Sequence, residues 1–433
     1  MRSARFHLQL LCVAALLLGG GGVAYGLRNL AIQLLALGVL AAHPQRVAGF
    51  VRTAPWGLRA LVLATLALPL LQLLPLPPAL WQALPGRGAV AESFALAELG
   101  ARWFPLSLDP MRTLVAFCGT LAPATIIILG SALPREDKLA LAHTLLWGCV
   151  AAFALGAMQL LSGNAIGLLY AERPRADVFY ATFANRNSTA LLFVTALTLL
   201  AALPWPRHVL CRWAWGGAGA LFAVAVVLTQ SRSGMALLAL PVLVLALRLI
   251  LAKRMTGRPL APIAALLLGA GVLGAGAMAL TVSGESRLAT SLDRFAGGAS
   301  DRPEMWEDSV YAARFYAPVG SGMGTFDEVF QLHESLEHVS PRKAGRAHSD
   351  WLEIAIEGGV PALLIALGWL LWIARASLRG GSPQGTWLRL GAGAGLAAIA
   401  LQSLLDYPLR NQTMLCMGAV LVVLLVRARE AER

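Results

Sequence analysis

The sequence predicts an all-α polytopic membrane protein with about twelve transmembrane helices and a large loop outside the membrane. Apolar residues make up 58% of its 433 residues and charged residues only 13%, whereas a soluble globular protein carries about 25% charged residues. Many apolar segments approach the length of about 20 residues that a helix needs to cross a bilayer. One polar run, near 281–351, is long enough to fold outside the membrane.

The predicted spans follow one another with short connections. The first apolar segment follows Arg2 and Arg5, which also fits a signal peptide, but we interpret it as an uncleaved helix because further spans follow at once. The second segment is short, and only the turn at 230–232 separates the seventh from the eighth. The predicted spans lie near 7–26, 29–43, 57–77, 111–132, 138–161, 187–204, 211–229, 233–251, 260–282, 351–374, 386–405 and 411–427.

Basic residues in alternate short connections orient the predicted bundle. If twelve spans are present, these connections all lie on one side, which the positive-inside rule assigns to the cytoplasm together with both termini. Much of the formal net charge of +12 is explained this way, so it does not predict a nucleic-acid partner. The basic residues concerned include Arg46, Arg52, Arg59, Arg135, Lys138, Arg207, Arg212, Arg248, Lys253, Arg254, Arg258, Arg375, Arg379, Arg427 and Arg429.

The chain therefore divides into three parts: spans one to nine (1–282), a periplasmic loop that we predict to be catalytic (283–350), and spans ten to twelve with a cytoplasmic tail (351–433). Shorter polar segments near 79–110 and 163–186 and the corner at 406–411 are predicted on the same outer side. Polar residues at membrane ends are costly unless they face a cavity or a partner, so they are functional candidates.

Five arginines on the predicted outer side oppose the expected charge bias. The guanidinium group presents a planar fork of donors that matches phosphate oxygens. Several such groups around one cavity would bind a diphosphate, although each could instead pair with a lipid headgroup or a nearby carboxylate. The five candidates are Arg186, Arg232, Arg302, Arg346 and Arg410.

His348 is the candidate proton acceptor. It lies just before the predicted helix that starts at Trp351, between Arg346 and Asp350, and histidine can accept a proton near neutral pH. The alternative is that His348 only neighbours a helix cap formed by Ser349 or Asp350, and we favour a capping role over a catalytic one for Asp350.

Other patterns in the loop do not predict a cofactor or a metal site. We interpret the glycine-rich run 320–324 as a flexible turn, because no strand precedes it and no Lys-Thr pair follows. His333 and His338 are five residues apart rather than the four of a zinc-protease helix, and the five cysteines show no metal-ligand spacing. Residues 301–317 predict a helix on the membrane surface or against the bundle, with Trp306, Val310 and Ala313 on its apolar side.

Several motifs resemble one known family in the family's order. They are FANRNSTALL, LTQSRSGMALLAL, RPEMW with APVGSGMGTF, AHSDWLEIAIEGGVPALLIAL and DYPLR, and together they extend over about 180–412. On these motifs the chain resembles the O-antigen ligase and polymerase superfamily of bacterial envelope glycosyltransferases. One departure is the arginine at position 186, where many members have proline.

The resemblance implies a fold similar to the C-type glycosyltransferases, in the bacterial inner membrane with a periplasmic active site. It implies a glycan donor carried on undecaprenyl diphosphate, and no metal or cofactor. Carried over position by position, His348 is the general base that activates an acceptor hydroxyl. The diphosphate is then held by Arg186, Arg232 and Arg302, whereas Arg346 and Arg410 are candidates from charge and position only.

The leading functional prediction is a ligase that joins O-antigen polysaccharide to the lipid A-core. The alternatives are a polymerase that extends a growing glycan on the same carrier, transfer of glycan to a protein, and a polysaccharide transporter or flippase. Charges gathered at one face favour an enzyme, because a transporter places them within its spans. Membrane lipids are the other expected partners.

Overall fold

The computed structural model describes residues 3–22, 25–170, 174–256, 302–337, 343–380 and 382–427, which are mainly helical. The first part of the chain contains α1 (Ala4–Leu18), α2 (Gly26–Ala41), α3 (Pro44–Thr53), α4 (Trp56–Gln72), α5 (Pro78–Trp81), α6 (Gly88–Leu96), α7 (Pro110–Ser131), α8 (Arg135–Leu161), α9 (Arg186–Ala202), α10 (Val209–Leu228), α11 (Arg232–Leu237) and α12 (Ala239–Thr256). The last part contains α13 (Arg302–Tyr316), α14 (Phe326–Val329), α15 (Asp350–Ser377), α16 (Pro383–Leu405) and α17 (Gln412–Leu425). Short 3₁₀ turns lie at Gly19–Gly21, Phe330–Leu332 and Pro408–Arg410.

The prediction of an all-α polytopic membrane protein is confirmed. Within the described residues, seven helices are long and apolar enough to cross a membrane, or eight if the pair α2–α3, bent by 80°, is one span. Helices α4, α9 and α17 are apolar but shorter, and the predicted span 260–282 lies outside the described residues. The count of twelve and the orientation therefore stay predictions. The seven helices are Ala4–Gly21, Pro110–Ser131, Arg135–Leu161, Val209–Leu228, Arg232–Leu251, Asp350–Ser377 and Gln384–Leu405.

Helix α9 lies at the centre of the bundle. Nearly all of its residues from Ser188 to Ala202 are buried, as in a helix that is surrounded by others, and it packs against α10, α12 and α16. Glycine at position 391 of α16 allows the closest approach, since a Cβ there would lie 2.1 Å from the Cβ of Ala202. This contact joins the C-terminal end of α9 to the N-terminal part of α16, and the polar corner lies at the opposite end of the same helix pair.

Helix α15 is interrupted near the middle of its sequence. Gly359 has φ 56° and ψ −149°, and Pro361 follows it without a backbone donor. Two carbonyl groups before the break are thus left for other partners, and they accept hydrogen bonds from Ser321 N (2.9 Å, to Ile356) and Gly322 N (2.8 Å, to Glu357).

The glycine-rich run 320–324 is consequently not the flexible turn that we expected. Ser321 is fully buried, and the run is hydrogen-bonded to the interrupted helix. Gly320 has φ 82°, and a Cβ at this position would lie 2.4 Å from the carbonyl oxygen of Glu357. The interpretation was wrong because glycine serves close backbone approach here rather than mobility.

Helix α13 confirms the helix predicted at 301–317, and it packs against α15. Its buried residues are Asp308, Ser309, Ala312 and Tyr316, whereas Val310 is exposed. The buried side of the helix therefore differs from the apolar side that we predicted. Ser309 was not expected there because it is polar, but its hydroxyl donates to Met305 O of the same helix at 2.7 Å and can therefore be buried.

The segment 79–110 is hydrogen-bonded to the glycine-rich run. It includes α6 and most of α5, and its strand β2 (Phe104–Pro105) pairs antiparallel with β1 (Pro75–Leu76), which lies just before the segment. The guanidinium of Arg87 is buried and donates to the carbonyl oxygens of Leu106 and Gly320, the latter at 2.9 Å. Burial lowers the pKa of Arg87 to about 10, so the group stays charged at neutral pH.

Candidate active site

His348 lies just before the start of α15 and faces the corner that follows α16. Its φ of 51° is in the left-handed region, which non-glycine residues seldom adopt and which often marks functional positions. The ring Nδ1 is 3.6 Å from Asp406 Oδ1, and the ring centroid is 5.2 Å from that of Tyr407. The His348 side chain is 37% exposed while Nδ1 is buried, so the exposed part is the rest of the ring.

Asp406 is the acidic partner of this histidine. Its side chain is 1% exposed, and its Oδ2 accepts a hydrogen bond from Asn185 Nδ2 at 3.1 Å. A distance of 3.6 Å exceeds a normal hydrogen bond, but it places a carboxylate beside the imidazole when the ring takes up a proton. The backbone of Asp406 also accepts from Asp350 N at 3.1 Å, which fixes the corner against α15.

Helix caps bring two of the predicted motifs to this corner. Asn185 caps α9 by accepting a hydrogen bond from Asn187 N at 2.8 Å, so the same side chain contacts both the helix start and Asp406. Ser231 caps α11 and donates to Asn187 Oδ1 at 2.9 Å. Arg186 and Arg232 are the first residues of these two helices, so they directly follow two neighbouring cap residues. Arg186 is half-buried and Arg232 is exposed.

Two of the predicted arginines are held by carboxylates of α15. Arg410 lies 2.9 Å from Glu353 Oε2, 2.9 Å from Glu357 Oε2 and 3.5 Å from Asp350 Oδ1. Arg346 lies 3.1 Å from Glu353 Oε2. The three acidic residues are three and four positions apart, which aligns them on one helix face.

This ion-pair cluster contains three buried carboxylates and two guanidinium groups, so the arginine charges are offset within the protein. Burial opposes the charge of Arg410, but Glu357, Glu353 and Asp350 together raise the pKa of Arg410 above its usual value. Carboxylates within the protein therefore already offset the positive charges of Arg346 and Arg410. That these two arginines bind a diphosphate stays a prediction.

Asp350 is not the helix cap that we expected. Ser349 is the N-cap, and its side chain accepts from Leu352 N. Asp350 Oδ2 instead accepts hydrogen bonds from Ser403 Oγ and Leu409 N, both at 3.0 Å. Asp350 connects α15 to α16 and to the corner because it already lies inside the first helical turn.

The segment that carries His348 is anchored on both sides. Trp306 Nε1 of α13 donates to the carbonyl oxygen of Ala347 at 2.9 Å, and Ala347 N donates to Glu353 Oε1 at 3.1 Å. Helix α13 thus contacts the residue next to the histidine. The helix begins at Arg302, but the side chain of Arg302 lies outside the described part of the structure.

An apolar cavity of about 360 Å³ lies below this corner. Its walls come from α4, α7, α15, α16 and α17, and its lining includes Ile354, Ala366 and Trp369. The outer end is formed by Asp350, Ser403 and Leu409, which also contact the His348 corner. The lining of the cavity therefore extends from the polar corner into the apolar interior of the bundle.

No group of three or more metal-binding side chains is found among the described residues. His333, which we had set aside as a zinc ligand, is half-buried with Nε2 3.1 Å from the hydroxyl of Tyr316. His338 lies outside the described residues.

Comparison with known families was made against this geometry. Residues 217–367 match a family model described as O-antigen ligase. Over these residues the chain is similar to that family. The predicted resemblance to the superfamily is confirmed, and a search of curated proteins gives no match.

The O-antigen ligase region includes Arg232, Arg302, Arg346 and His348, whereas Asn185 and Asp406 lie on either side of it. The match supports a ligase- or polymerase-like glycosyltransferase role, and the apolar helices make the chain a multi-pass membrane protein. The candidate site thus includes elements before and after the matched region.

The site includes residues to which the sequence analysis gave no role. Asp406 lies in a corner that we had noted without an assigned function, and Asn185 lies in the FANRN motif. Glu353 and Glu357 carried a usable signal, since acidic residues at helical spacing inside an apolar span indicate buried partners. Their arginine partners lie elsewhere in the chain, so only the fold shows which arginines they are.

We expect Glu353→Ala to destabilise the protein by about 3–5 kcal/mol, because it leaves Arg346 without the carboxylate that it pairs with and removes one of the three buried carboxylates that hold Arg410. The measurement is thermal unfolding of the purified protein in detergent. Glu304→Ala, an exposed carboxylate on α13, is the matched control and should unfold like wild type. Equal unfolding temperatures for both variants would contradict a structural role for the cluster.

Proposed function

We propose that this protein is an O-antigen ligase-like glycosyltransferase. It transfers polysaccharide from undecaprenyl diphosphate to lipid A-core at the periplasmic face of the bacterial inner membrane, without a metal. The observation that carries the proposal is the pairing of half-exposed His348 with buried Asp406, beside the caps from which Arg186 and Arg232 start. The family match at 217–367 supports the reaction class.

The proposed reaction is a direct displacement at the anomeric carbon of the donor sugar. Neutral His348 takes the proton from an acceptor hydroxyl as that oxygen attacks, and the Asp406 carboxylate 3.6 Å away stabilises the resulting imidazolium. A new carbon–oxygen bond forms while the bond from the anomeric carbon to the diphosphate breaks. The leaving diphosphate keeps the electron pair, and the anomeric centre is inverted.

Negative charge grows on the leaving diphosphate, so fixed positive groups accelerate the step. Arg186, Arg232 and Arg302 are the proposed ligands. Arg346 and Arg410 are weaker candidates, because Asp350, Glu353 and Glu357 already offset their charge. In this proposal the acidic cluster instead holds α15 and the corner in the geometry that pairs His348 with Asp406.

The apolar cavity supports a lipid-linked donor. It offers about 360 Å³ directly below the corner and is lined mainly by aliphatic side chains. A polyprenyl chain is uncharged and flexible, so its transfer into such a cavity is favourable once the diphosphate is held at the outer end.

The experiment that tests the function uses purified protein in liposomes with undecaprenyl-diphosphate-linked glycan and a metal chelator. Lipid A-core is added to one sample, and the other contains donor alone. Glycan on lipid A-core is the expected result. Longer donor chains without transfer to the core would favour the polymerase, and no reaction with either acceptor would favour transport or a protein acceptor.

We expect Asp406→Asn to lower kcat by about tenfold or more with little change in donor KM, because the amide no longer stabilises protonated His348. The measurement is steady-state transfer at saturating donor and acceptor. Asp177→Asn is the control, since this carboxylate contacts Gln230 and Arg175 rather than His348. A changed KM at constant kcat would remove Asp406 from the proton-transfer step.

A further inference from the structure

Two aromatic rings stand exposed on α13, on the side away from the bundle. Tyr311 is 59% exposed and Phe315 is 43% exposed. Their ring centroids are 6.4 Å apart and their planes differ by 25°, so the two rings lie side by side. The proposed reaction assigns no role to these rings, and they are not part of the buried side of α13.

The third ring of this group comes from another segment. His333 lies 4.7 Å from the ring centroid of Phe315 and 5.7 Å from that of Tyr311. Its Nε2 is 3.1 Å from the hydroxyl of buried Tyr316, which fixes the imidazole. The aromatic pair is therefore supported from behind, and it loses little freedom when a ligand binds.

Charged side chains share the aromatic face. Glu307 and Arg314 are exposed and fall at helical spacing with Tyr311 and Phe315. A helix that lies in a bilayer separates its apolar face from its charged face, and a carboxylate among the rings would be costly to desolvate. Aromatic faces that attract C–H groups, flanked by hydrogen-bonding groups, instead suit the alternating apolar and hydroxyl surfaces of pyranose rings.

The position of α13 relates this face to the reaction. The helix begins at Arg302, a proposed donor ligand, and its Trp306 contacts the residue before His348. At 1.5 Å per residue, Tyr311 and Phe315 lie about 8 and 14 Å farther along the helix. Phe315 also adjoins the segment 79–110, since a Cβ on Gly86 would lie 3.2 Å from its ring.

We infer that Tyr311 and Phe315 form a binding site for the sugar rings of the acceptor oligosaccharide. The order along α13 places the proposed donor ligand at one end, the contact with the His348 segment next, and the aromatic pair beyond it. A glycan on the pair therefore approaches His348 from the end opposite the donor ligand. This inference rests on the proposed function, which supplies a glycan acceptor.

The test measures binding and transfer separately. Lipid-free core oligosaccharide is titrated into the full-length protein in detergent, and the double variant Tyr311→Ala/Phe315→Ala should bind at least about tenfold more weakly, as expected for two lost ring contacts. Val310→Ala, an exposed apolar change on the same helix, should bind like wild type. Tyr311→Trp keeps a ring at the site and should retain binding.

In the transfer assay the double variant should raise acceptor KM and leave donor KM and kcat at saturating acceptor unchanged. Equal oligosaccharide affinity in the double variant and wild type would overturn the inference. The inference would also be overturned if the double variant lost affinity only for sugar-free lipid vesicles, which would identify a membrane contact. A change in donor KM alone would overturn it as well. If wild type transfers nothing but the binding difference remains, the proposed function fails and the glycan site stands.

Discussion

His348→Ala is expected to reduce transfer by about 10²–10⁴-fold in kcat, the contribution typical of general acid–base catalysis. The hydroxyl of the acceptor then loses its proton to water rather than to a positioned imidazole. Donor and acceptor KM should change little, because the proposed role of the ring is proton transfer. The measurement is steady-state transfer to lipid A-core with purified protein.

Thermal unfolding of the same variant distinguishes a loss of catalysis from a loss of folding. The side chain is more than a third exposed, so thermal unfolding of the variant should match wild type. His208→Ala is the matched control, because His208 is an exposed histidine on the predicted cytoplasmic side and should retain full activity. Wild-type kcat in His348→Ala would exclude this residue as the base, whatever the result for Asp406→Asn.

Arg232→Ala is expected to lower kcat/KM for the donor by about a hundredfold or more, by analogy with the loss of one donor from an oxyanion site. Arg232 is exposed and is the first residue of α11, whose cap residue Ser231 donates a hydrogen bond to Asn187 beside the start of α9. Arg232→Lys should recover only part of the activity, since an ammonium group lacks the planar fork that matches phosphate oxygens.

The control for this prediction is Arg207→Ala, which removes an exposed arginine on the predicted cytoplasmic side. It should transfer glycan like wild type, and both variants should unfold at the wild-type temperature. A loss of similar size in the two variants would indicate a general charge effect and would remove Arg232 from the diphosphate site.

Much of the architecture was readable from local sequence. The membrane class follows from composition, because 13% charged residues cannot cover a soluble protein of this size. The helix at 302–316 and the turn before Arg232 follow from local periodicity and capping. The role of the glycine-rich run could not be predicted from the sequence, because glycine occurs both in mobile turns and where two backbones approach closely. Only the hydrogen bonds to the interrupted helix beside it distinguish the two.

The sequence by itself determined the kind of protein, its resemblance to the O-antigen ligase superfamily and the candidate base, since these depend on composition and on motifs within short stretches. Only the tertiary structure decided which groups meet. Asp406 bonds to Asn185 across 221 positions and pairs with His348, while Arg410 is drawn to three carboxylates of α15 rather than left available. Such pairings depend on how the helices pack, because buried charges must find partners wherever the fold places them.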